Sequence, residues 1–252
     1  MQTNKLARPW HCGIYSAGKT TEWMPTDTKE SFENLVQDPV HYKYFKEQGW
    51  LEPQAITYQI NKEGFRCEDF VEGEPCLVVL GCSYTMGIGL PLTDLWATKV
   101  GAALGLNVYN LAWGGNSSDT CFRLARYWIP RLKPQIVCML APPRSRIEIV
   151  TMNGTEPPAE VFMPMSRSSL YNKDDVFLKH WFGNEENQYI NQDKNMLAIE
   201  SIARTSNAKY AGLQADYEAA CSRDIVGYAR DYMHTGPVGH TMIADKLLAM
   251  IS

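Results

Sequence analysis

No stretch of this sequence approaches the roughly 20 apolar residues that a membrane-spanning helix requires. The first residues, MQTNKLARPWHCG, also lack the apolar segment of a secretory signal peptide, so we expect a cytoplasmic protein. Lysine and arginine total 24 against 28 aspartates and glutamates, and the net charge of −4 gives no electrostatic indication of nucleic-acid binding. The sequence therefore predicts a globular protein with neither a membrane span nor a nucleic-acid partner.

Cysteine motifs for metal binding are lacking as well. The 7 cysteines form no C-x-x-C pair and are dispersed along the chain, at Cys12, Cys67, Cys76, Cys82, Cys121, Cys138 and Cys221. An odd number of scattered cysteines is typical of reduced thiols, several of them buried, in a reducing compartment. We therefore expect no zinc site on this spacing.

From Pro75 onward, short apolar runs alternate with segments of helical periodicity. The runs that predict strands are CLVVLG, NVYNLAW, QIVCMLAP and, later, AKYAGL. The segments PLTDLWATKVGAALG and SSDTCFRLARYWIPRL predict helices, with Thr93 capping the first and Ser117 or Ser118 the second, and Gly105 ending the first. This alternation predicts a three-layer αβα sandwich with a parallel sheet and helices on both faces.

The remaining segments are assigned around this core. Residues 1–73 are irregular and aromatic, and we interpret them as an extension packed on a main domain of residues 74–252. NGTEPPAEVFMPMSRSS, residues 153–169, has the composition of a loop. NMLAIESIARTS predicts a helix, and PVGHTMIADKLLAMIS predicts a terminal helix with Pro237 in its first turn.

Small polar residues and glycines follow the first predicted strand in the segment GCSYTMGIG. Ser83 could therefore be a nucleophile, a phosphate ligand or a turn residue at the carboxyl end of a buried strand. A phosphate-binding P-loop is excluded because the segment has no lysine, and a dinucleotide fingerprint is excluded because position 92 is leucine. The G-x-S-x-G elbow of α/β-hydrolases is disfavoured because position 85 is threonine.

A serine nucleophile needs a base, and the base needs an orienting acid. The chain has only 5 histidines, and one of them lies in the segment RDYMHTGPVGH near the carboxyl end. There Asp231 and His234 are three residues apart, a spacing that can place a carboxylate beside an imidazole. We expect His240, inside the terminal helix, to be structural.

Three segments together resemble a known family. LGCSYTMGIG, NLAWGGNSS and DYMHTGPVGH are similar to blocks one, two and five of the SGNH (GDSL-type) hydrolases, and INKEGFR resembles the segment that often precedes block one. The resemblance covers residues 58–150 and 229–251. It implies a flavodoxin-like αβα fold, Ser83 as nucleophile, Asp231 and His234 as acid and base, and the N–H groups of Ser83 and Gly115 as oxyanion donors.

The chain departs from the family pattern at two points. Cys82 stands where block one usually has aspartate, and LAPPRSRIE contains no counterpart of the block-three asparagine that donates to the oxyanion. Arg144, Arg146 or Asn116 could supply that donor. Alternatively, the two arginines could form surface ion pairs with Glu148.

The resemblance implies hydrolysis of an ester through a Ser-His-Asp triad without a cofactor. A short acyl or acetyl group, possibly carried by a carbohydrate, is the expected substrate. An acyltransferase on the same triad, and a non-catalytic binding or structural protein that keeps the fold, remain alternatives. Trp113 and Trp181 could line a pocket, although large aromatic residues more often belong to the core.

Overall fold

The computed structural model of the protein describes residues 11–152, 160–165, 176–214 and 227–251. The strands are β1 (Thr20–Thr21), β2 (Tyr58–Gln59), β3 (Cys76–Leu80), β4 (Asn107–Asn110), β5 (Ile136–Leu140), β6 (Ile147–Met152), β7 (Glu160–Met165) and β8 (Lys209–Leu213). The helices are α1 (Lys29–Leu35), α2 (Pro39–Gln48), α3 (Ser83–Met86), α4 (Trp96–Leu104), α5 (Ser118–Leu132), α6 (Val176–Gly183), α7 (Glu185–Thr205) and α8 (Pro237–Ile251).

A four-stranded parallel sheet in the order β4-β3-β5-β8 forms the centre of the fold. Side chains alternate across a strand, so β3 sends Val78 and Leu80 to one face and Leu77 and Val79 to the other. Helices α5 and α7 cover the first face, while α4 and α8 cover the second. The predicted αβα sandwich with a parallel sheet is confirmed.

Helix ends follow the sequence signals in three of four cases. Ser117 caps α5 through a reciprocal pair of hydrogen bonds with Thr120, Gly105, at φ +65°, ends α4, and Pro237 is the first residue of α8. The prediction that Thr93 caps α4 is wrong. Residues Leu92–Asp94 form a separate 3-10 turn, and α4 begins after Leu95, which makes no side-chain capping bond.

Two predictions in the second half of the chain need correction. Part of the predicted loop 153–169 is strand β7, which pairs antiparallel with β6; Pro164 is compatible with this because a two-stranded pair leaves edge positions. The rest of that segment lies outside the described residues. Helix α7 begins at Glu185, ten residues before the predicted start, and Asn184 caps it. Its first turns are polar, so apolar periodicity did not reveal them.

The predicted extension contains helices α1 and α2 and the small antiparallel β1-β2 pair. Its aromatic and aliphatic side chains form a hydrophobic cluster together with side chains of the main domain. That cluster combines residues from both parts of the chain: Met24, Phe32, Phe45, Trp50, Ile56, Tyr58, Ile60, Met86, Ile88, Leu90, Leu95, Ala112, Trp113 and Ala229. Residues 24–60 therefore pack against the segments that follow β3 and β4. The division at residue 73 stays a prediction.

A buried ion pair joins this amino-terminal segment to the far end of the chain. Arg230 is fully buried and donates to both carboxylate oxygens of Asp27, at 2.9 and 2.7 Å. It also donates to the carbonyl oxygens of Pro53 and Glu22, so the guanidinium is surrounded by acceptors. Tyr58 donates to Asp27 as well, which leaves this buried charge pair well satisfied.

We expect Asp27→Ala to lower the free energy of unfolding by about 3–5 kcal/mol, because it leaves the Arg230 guanidinium buried without its carboxylate. Chemical denaturation at neutral pH measures this. The matched control is Glu33→Ala, which removes the exposed partner of Lys29 in the same segment and should leave the unfolding midpoint nearly unchanged. Equal, small effects of the two substitutions would contradict the assigned role of the buried pair.

Candidate functional site

Ser83 lies where the central strand β3 ends and the short helix α3 begins. It is 6 % exposed and occupies the first helical position, where a backbone N–H has no partner within the helix. Gly87, at φ +78°, ends α3 after four residues. The turn is therefore tight and presents the Ser83 hydroxyl and N–H at the carboxyl edge of the sheet.

Arg66 fixes the segment that follows this turn. Its buried guanidinium donates to the carbonyl oxygens of Met86, Gly87 and Leu90, at 3.2, 2.5 and 2.8 Å. It also lies over the ring of Tyr58, 4.3 Å from the ring centre. These contacts join one guanidinium to three carbonyl groups at and beyond the end of α3, so they help to fix the turn that carries Ser83.

Asp231 and His234 form a hydrogen-bonded pair on the loop before α8. The His234 Nδ1 atom lies 2.5 Å from Asp231 Oδ2, and the other carboxylate oxygen accepts the N–H groups of Met233 and His234. Thr26 donates its hydroxyl to Asp231 Oδ2 at 2.7 Å. The carboxylate is thus held at both oxygens, and the imidazole is held by the carboxylate.

The electrostatics of the pair set the tautomer of the imidazole. Burial by itself raises the pKa of Asp231, but the hydrogen bonds from His234, Thr26 and the Met233 N–H, together with the charge of His234, outweigh burial and lower that pKa below its ordinary value. At neutral pH the carboxylate is therefore ionised and accepts, so His234 Nδ1 carries the proton. In the neutral imidazole with this tautomer, the opposite ring atom Nε2 has a lone pair that can accept a proton.

The structure packs the His234 loop directly on the Ser83 turn. Tyr84, the residue after Ser83, makes an edge-to-face contact with the His234 ring, with 4.7 Å between ring centres. The Arg230 N–H donates to the Gly89 carbonyl at 2.8 Å, and a Cβ at Gly89 would lie 3.0 Å from the Asp231 nitrogen. Within the described residues, Ser83 and His234 are joined through these neighbours and make no direct hydrogen bond.

The predicted oxyanion donors lie beside the same strand end. Gly115 adopts φ +85° in the turn between β4 and α5, and Asn116 donates from its side chain to the Gly81 carbonyl at 3.2 Å. One amide hydrogen of Asn116 is therefore bonded to the backbone directly after β3. Arg146 reaches the Asn116 carbonyl at 3.5 Å, which brings its guanidinium to this turn.

The alternative role for the two arginines, an ion pair with Glu148, is wrong. Glu148 is buried and pairs with Arg123 on α5, with nitrogen–oxygen distances of 2.8 Å. The guanidinium of Arg144 instead lies over the ring of Tyr189 on α7, 4.0 Å from its centre.

The other candidate residues have structural surroundings. Trp113 is part of the core that includes the amino-terminal segment, and Trp181 packs with Phe182 and donates to the Ser145 carbonyl. Cys82 is buried and precedes α3. Five of the six cysteines described are buried, as expected for most of them; Cys221 lies outside the described residues. In the ranges that the structure covers, no group of three or more potential ligands is arranged to hold a metal ion, and no helix is long and apolar enough to cross a membrane.

Sequence reasoning missed the residues that support the site from the amino-terminal segment. Thr26, Asp27, Tyr58 and Arg66 all contact the Ser83 turn or the His234 loop, directly or through one neighbour. The Thr26–Asp231 contact spans 205 positions, and nothing in the local pattern around Thr26 signals it. The only available signal was Arg230, a charged residue next to the D-x-x-H motif.

Comparison with known proteins gives weak similarities at the level of structure. No family model matches the chain, and no curated protein matches it. Among solved structures, TesA is similar at 14 % identity and a TM-score of 0.40, over 70 % of this chain and 98 % of that one.

Two further solved structures are similar over most of their length. A lipolytic protein of the G-D-S-L family from Desulfitobacterium hafniense has 12 % identity and a TM-score of 0.34, over 70 % of this chain and 98 % of its own. Axe2, an acetylxylan esterase from Geobacillus stearothermophilus, has 16 % identity and a TM-score of 0.35, over 73 % and 97 %. Such values are too low to assign a function, which must come from the side chains of the site.

His240, on α8 beside the site, yields a prediction about stability. Burial, the largest cause, and the nearby positive charges of His234, Lys99 and Arg66 together lower its pKa to about 3. Its Nδ1 atom accepts the Trp96 N–H at 3.0 Å. Because the ordinary pKa is 6.5, this histidine binds a proton in the unfolded chain between about pH 6.5 and 3 but stays neutral in the folded protein. This contribution to stability is complete above about pH 6.5 and is lost as the pH falls toward 3, at roughly 1.4 kcal/mol per pH unit.

Replacing His240 by glutamine should therefore flatten the decline in unfolding free energy between pH 6.5 and 4, measured by urea denaturation. His11→Gln is the comparison variant, because burial also lowers the pKa of His11, to about 4. It should flatten the same range but leave the decline below pH 4 in place. An unchanged decline in His240→Gln would refute the assignment.

Proposed function

We propose that the protein is a serine hydrolase of the SGNH type that cleaves carboxylic esters, with Ser83, His234 and Asp231 as its catalytic triad. The observation that carries this proposal is the buried Asp231–His234 hydrogen bond on a loop that packs against the turn bearing Ser83. An ionised carboxylate, a neutral imidazole and a serine at a strand end are the three parts that acyl transfer requires.

The reaction begins when the Ser83 oxygen attacks the carbonyl carbon of the ester and His234 Nε2 takes the hydroxyl proton. Asp231 holds the ring in the required tautomer and stabilises the imidazolium that forms. Collapse of the tetrahedral intermediate breaks the carbon–oxygen bond of the ester, and His234 returns the proton to the departing alcohol. Water then attacks the acyl-Ser83 carbonyl, gives its proton to His234, and releases the acid while Ser83 regains its hydroxyl hydrogen. The serine–histidine hydrogen bond of such sites often tightens only when substrate binds.

The oxyanion needs donors fixed in advance, each worth on the order of 3 kcal/mol of transition-state stabilisation in comparable sites. The N–H of Ser83 is available because it occupies the first helical position, and we propose the N–H of Gly115 as the second donor. Arg146 is the favoured third donor, because its guanidinium reaches the Asn116 carbonyl, next to Gly115.

The substrate that suits this site best carries a short acyl group. Ser83 and His234 are 6 % and 7 % exposed, which leaves little room for a bulky chain at the reacting carbon. We propose an acetyl or similar ester, with a carbohydrate as the alcohol part in keeping with the family resemblance. Transfer of the acyl group to another hydroxyl would use the same triad.

Ser83 should react with a fluorophosphonate probe, because His234 and Asp231 activate its hydroxyl. Intact-mass analysis of the wild-type protein should show one adduct, and Ser83→Ala should abolish it together with hydrolysis of p-nitrophenyl acetate. Cys82→Ala is the matched control at the neighbouring position and should keep most of the activity. Loss of activity in Cys82→Ala but not in Ser83→Ala would show that the thiol is the nucleophile. Absence of both adduct and turnover in the wild type would favour a non-catalytic binding protein.

The two arginines after β5 should differ in their effect on turnover. We expect Arg146→Ala to reduce kcat/KM roughly tenfold to a thousandfold, the range for losing one oxyanion donor. Arg144→Ala is the control, since its guanidinium stacks on Tyr189, and it should change the rate little. If neither substitution slows hydrolysis, the site works with two backbone donors or with Asn116 as the third.

A further inference from the structure

Thr26 touches the proposed acid of the triad from the opposite end of the chain. Its hydroxyl donates to Asp231 Oδ2 at 2.7 Å, and this is the same oxygen that faces His234 Nδ1. Two donors therefore converge on one carboxylate oxygen, while the other oxygen accepts two backbone N–H groups. The direction of the carboxylate toward the imidazole is fixed by this set of four bonds.

The backbone of Thr26 is strained in a way that a merely structural turn would avoid. Its φ of +76° lies in the left-handed region, which a β-branched residue rarely adopts and which glycine or asparagine would occupy more easily. Residues held in such conformations persist where the surroundings over-determine them, and they cluster at functional sites. A threonine at this position suggests that the hydroxyl itself is needed.

The neighbouring residues hold this strained turn in place. Asp27, directly after Thr26, forms the bidentate ion pair with Arg230, directly before Asp231. Two neighbouring contacts therefore join the two segments: the ion pair between Asp27 and Arg230, and the hydrogen bond from Thr26 to Asp231. The Met24 N–H donates to the Asp27 carbonyl at 3.1 Å and closes the turn.

We propose that Thr26 is a positioning residue of the active site, which orients the Asp231 carboxylate toward His234 and shares its charge. The inference rests on the proposed function of the Ser83–His234–Asp231 site. It makes Thr26 a working part of that site, although Thr26 lies outside the motifs that carry the family resemblance. Thr26 contacts neither the substrate nor the reacting atoms and acts only through Asp231.

Three variants separate the hydroxyl from the shape and strain of the turn. Thr26→Val keeps the branched shape and the strain but removes the hydroxyl, Thr26→Ser keeps the hydroxyl, and Thr26→Gly removes both hydroxyl and strain. We expect Thr26→Val and Thr26→Gly to lose about 10- to 100-fold in kcat with KM nearly unchanged, as when other orienting partners are removed. Thr26→Ser should retain most of the wild-type kcat. Thr26→Gly should unfold at the same temperature as the wild type or higher.

A second measurement does not need turnover. In the wild type, the Thr26 hydroxyl and the imidazole share one carboxylate oxygen. Without the hydroxyl, His234 Nδ1–H no longer shares that oxygen with a second side-chain donor, so its hydrogen bond should strengthen. Proton NMR at a fixed pH, with His234→Gln to identify the signal, should show the Nδ1 proton of His234 at lower field in Thr26→Val and at the wild-type position in Thr26→Ser.

The outcomes are distinct. Loss of kcat and a shifted His234 Nδ1 proton signal in Thr26→Val, both restored in Thr26→Ser, support the proposal. Wild-type kcat and an unshifted signal in Thr26→Val overturn it, as does equal damage in the valine and serine variants, which would indicate a packing role. If the wild-type protein hydrolyses no ester, the proposed function fails, and the NMR measurement alone still decides whether Thr26 acts on the Asp231–His234 pair.

Discussion

The buried ion pair between Arg230 and Asp27 is the interaction on which the arrangement of the site depends. A guanidinium with no exposure to water must find acceptors for its hydrogens, and here they come from Asp27, Pro53 and Glu22, all in the amino-terminal segment. Because Arg230 precedes Asp231, meeting that requirement also fixes where the neighbouring carboxylate lies. The need of the buried Arg230 guanidinium for hydrogen-bond acceptors thus helps to determine the position of Asp231, the proposed catalytic acid.

A second buried arginine does the equivalent for Ser83, the proposed nucleophile. Arg66 collects the carbonyl oxygens that follow α3, so the turn bearing Ser83 is held by a charge rather than by a long helix. Tyr58 links the two arrangements, because its hydroxyl donates to Asp27 and accepts the Gly89 N–H, while its ring lies under Arg66. The two halves of the site are therefore parts of one continuous polar network beneath an aromatic cluster.

The sequence predicted the central sheet and the site residues for different reasons. Strands such as Cys76–Leu80 are buried on both faces, so their composition alone reveals them, and glycine and serine mark the ends of α4 and α5. Ser83, Asp231 and His234 were proposed from short motifs, and the structure places their segments side by side. The triad itself stays a proposal.

What sequence reasoning could not supply is the set of contacts between distant segments. Thr26 stands in a stretch with no periodicity or motif, and the resemblance of INKEGFR, which ends in Arg66, assigns that residue no role. The contacts of both residues arise only when the chain is folded. The start of α7 was missed because its buried side chains are polar and give no apolar periodicity. Gln188 and Gln192 are buried there and donate hydrogen bonds to backbone carbonyl oxygens. The sequence shows that the segment after β5 has no asparagine. Which residue donates a hydrogen bond in its place depends on the positions of the Arg144 and Arg146 side chains, which the sequence does not give.

The distance along the chain between Thr26 and Asp231 has a consequence for how the protein assembles. Contacts that close loops of about 200 residues carry a high entropic cost and form late, whereas β3, β4 and β5 lie close together in sequence and can pair early. During synthesis, Asp27 and Pro53 emerge long before their partner Arg230 does. The loop that carries Asp231 and His234 should therefore dock on the amino-terminal segment in one of the last steps of folding, so that a chain with a finished sheet still lacks the arrangement of the candidate site until that step is complete.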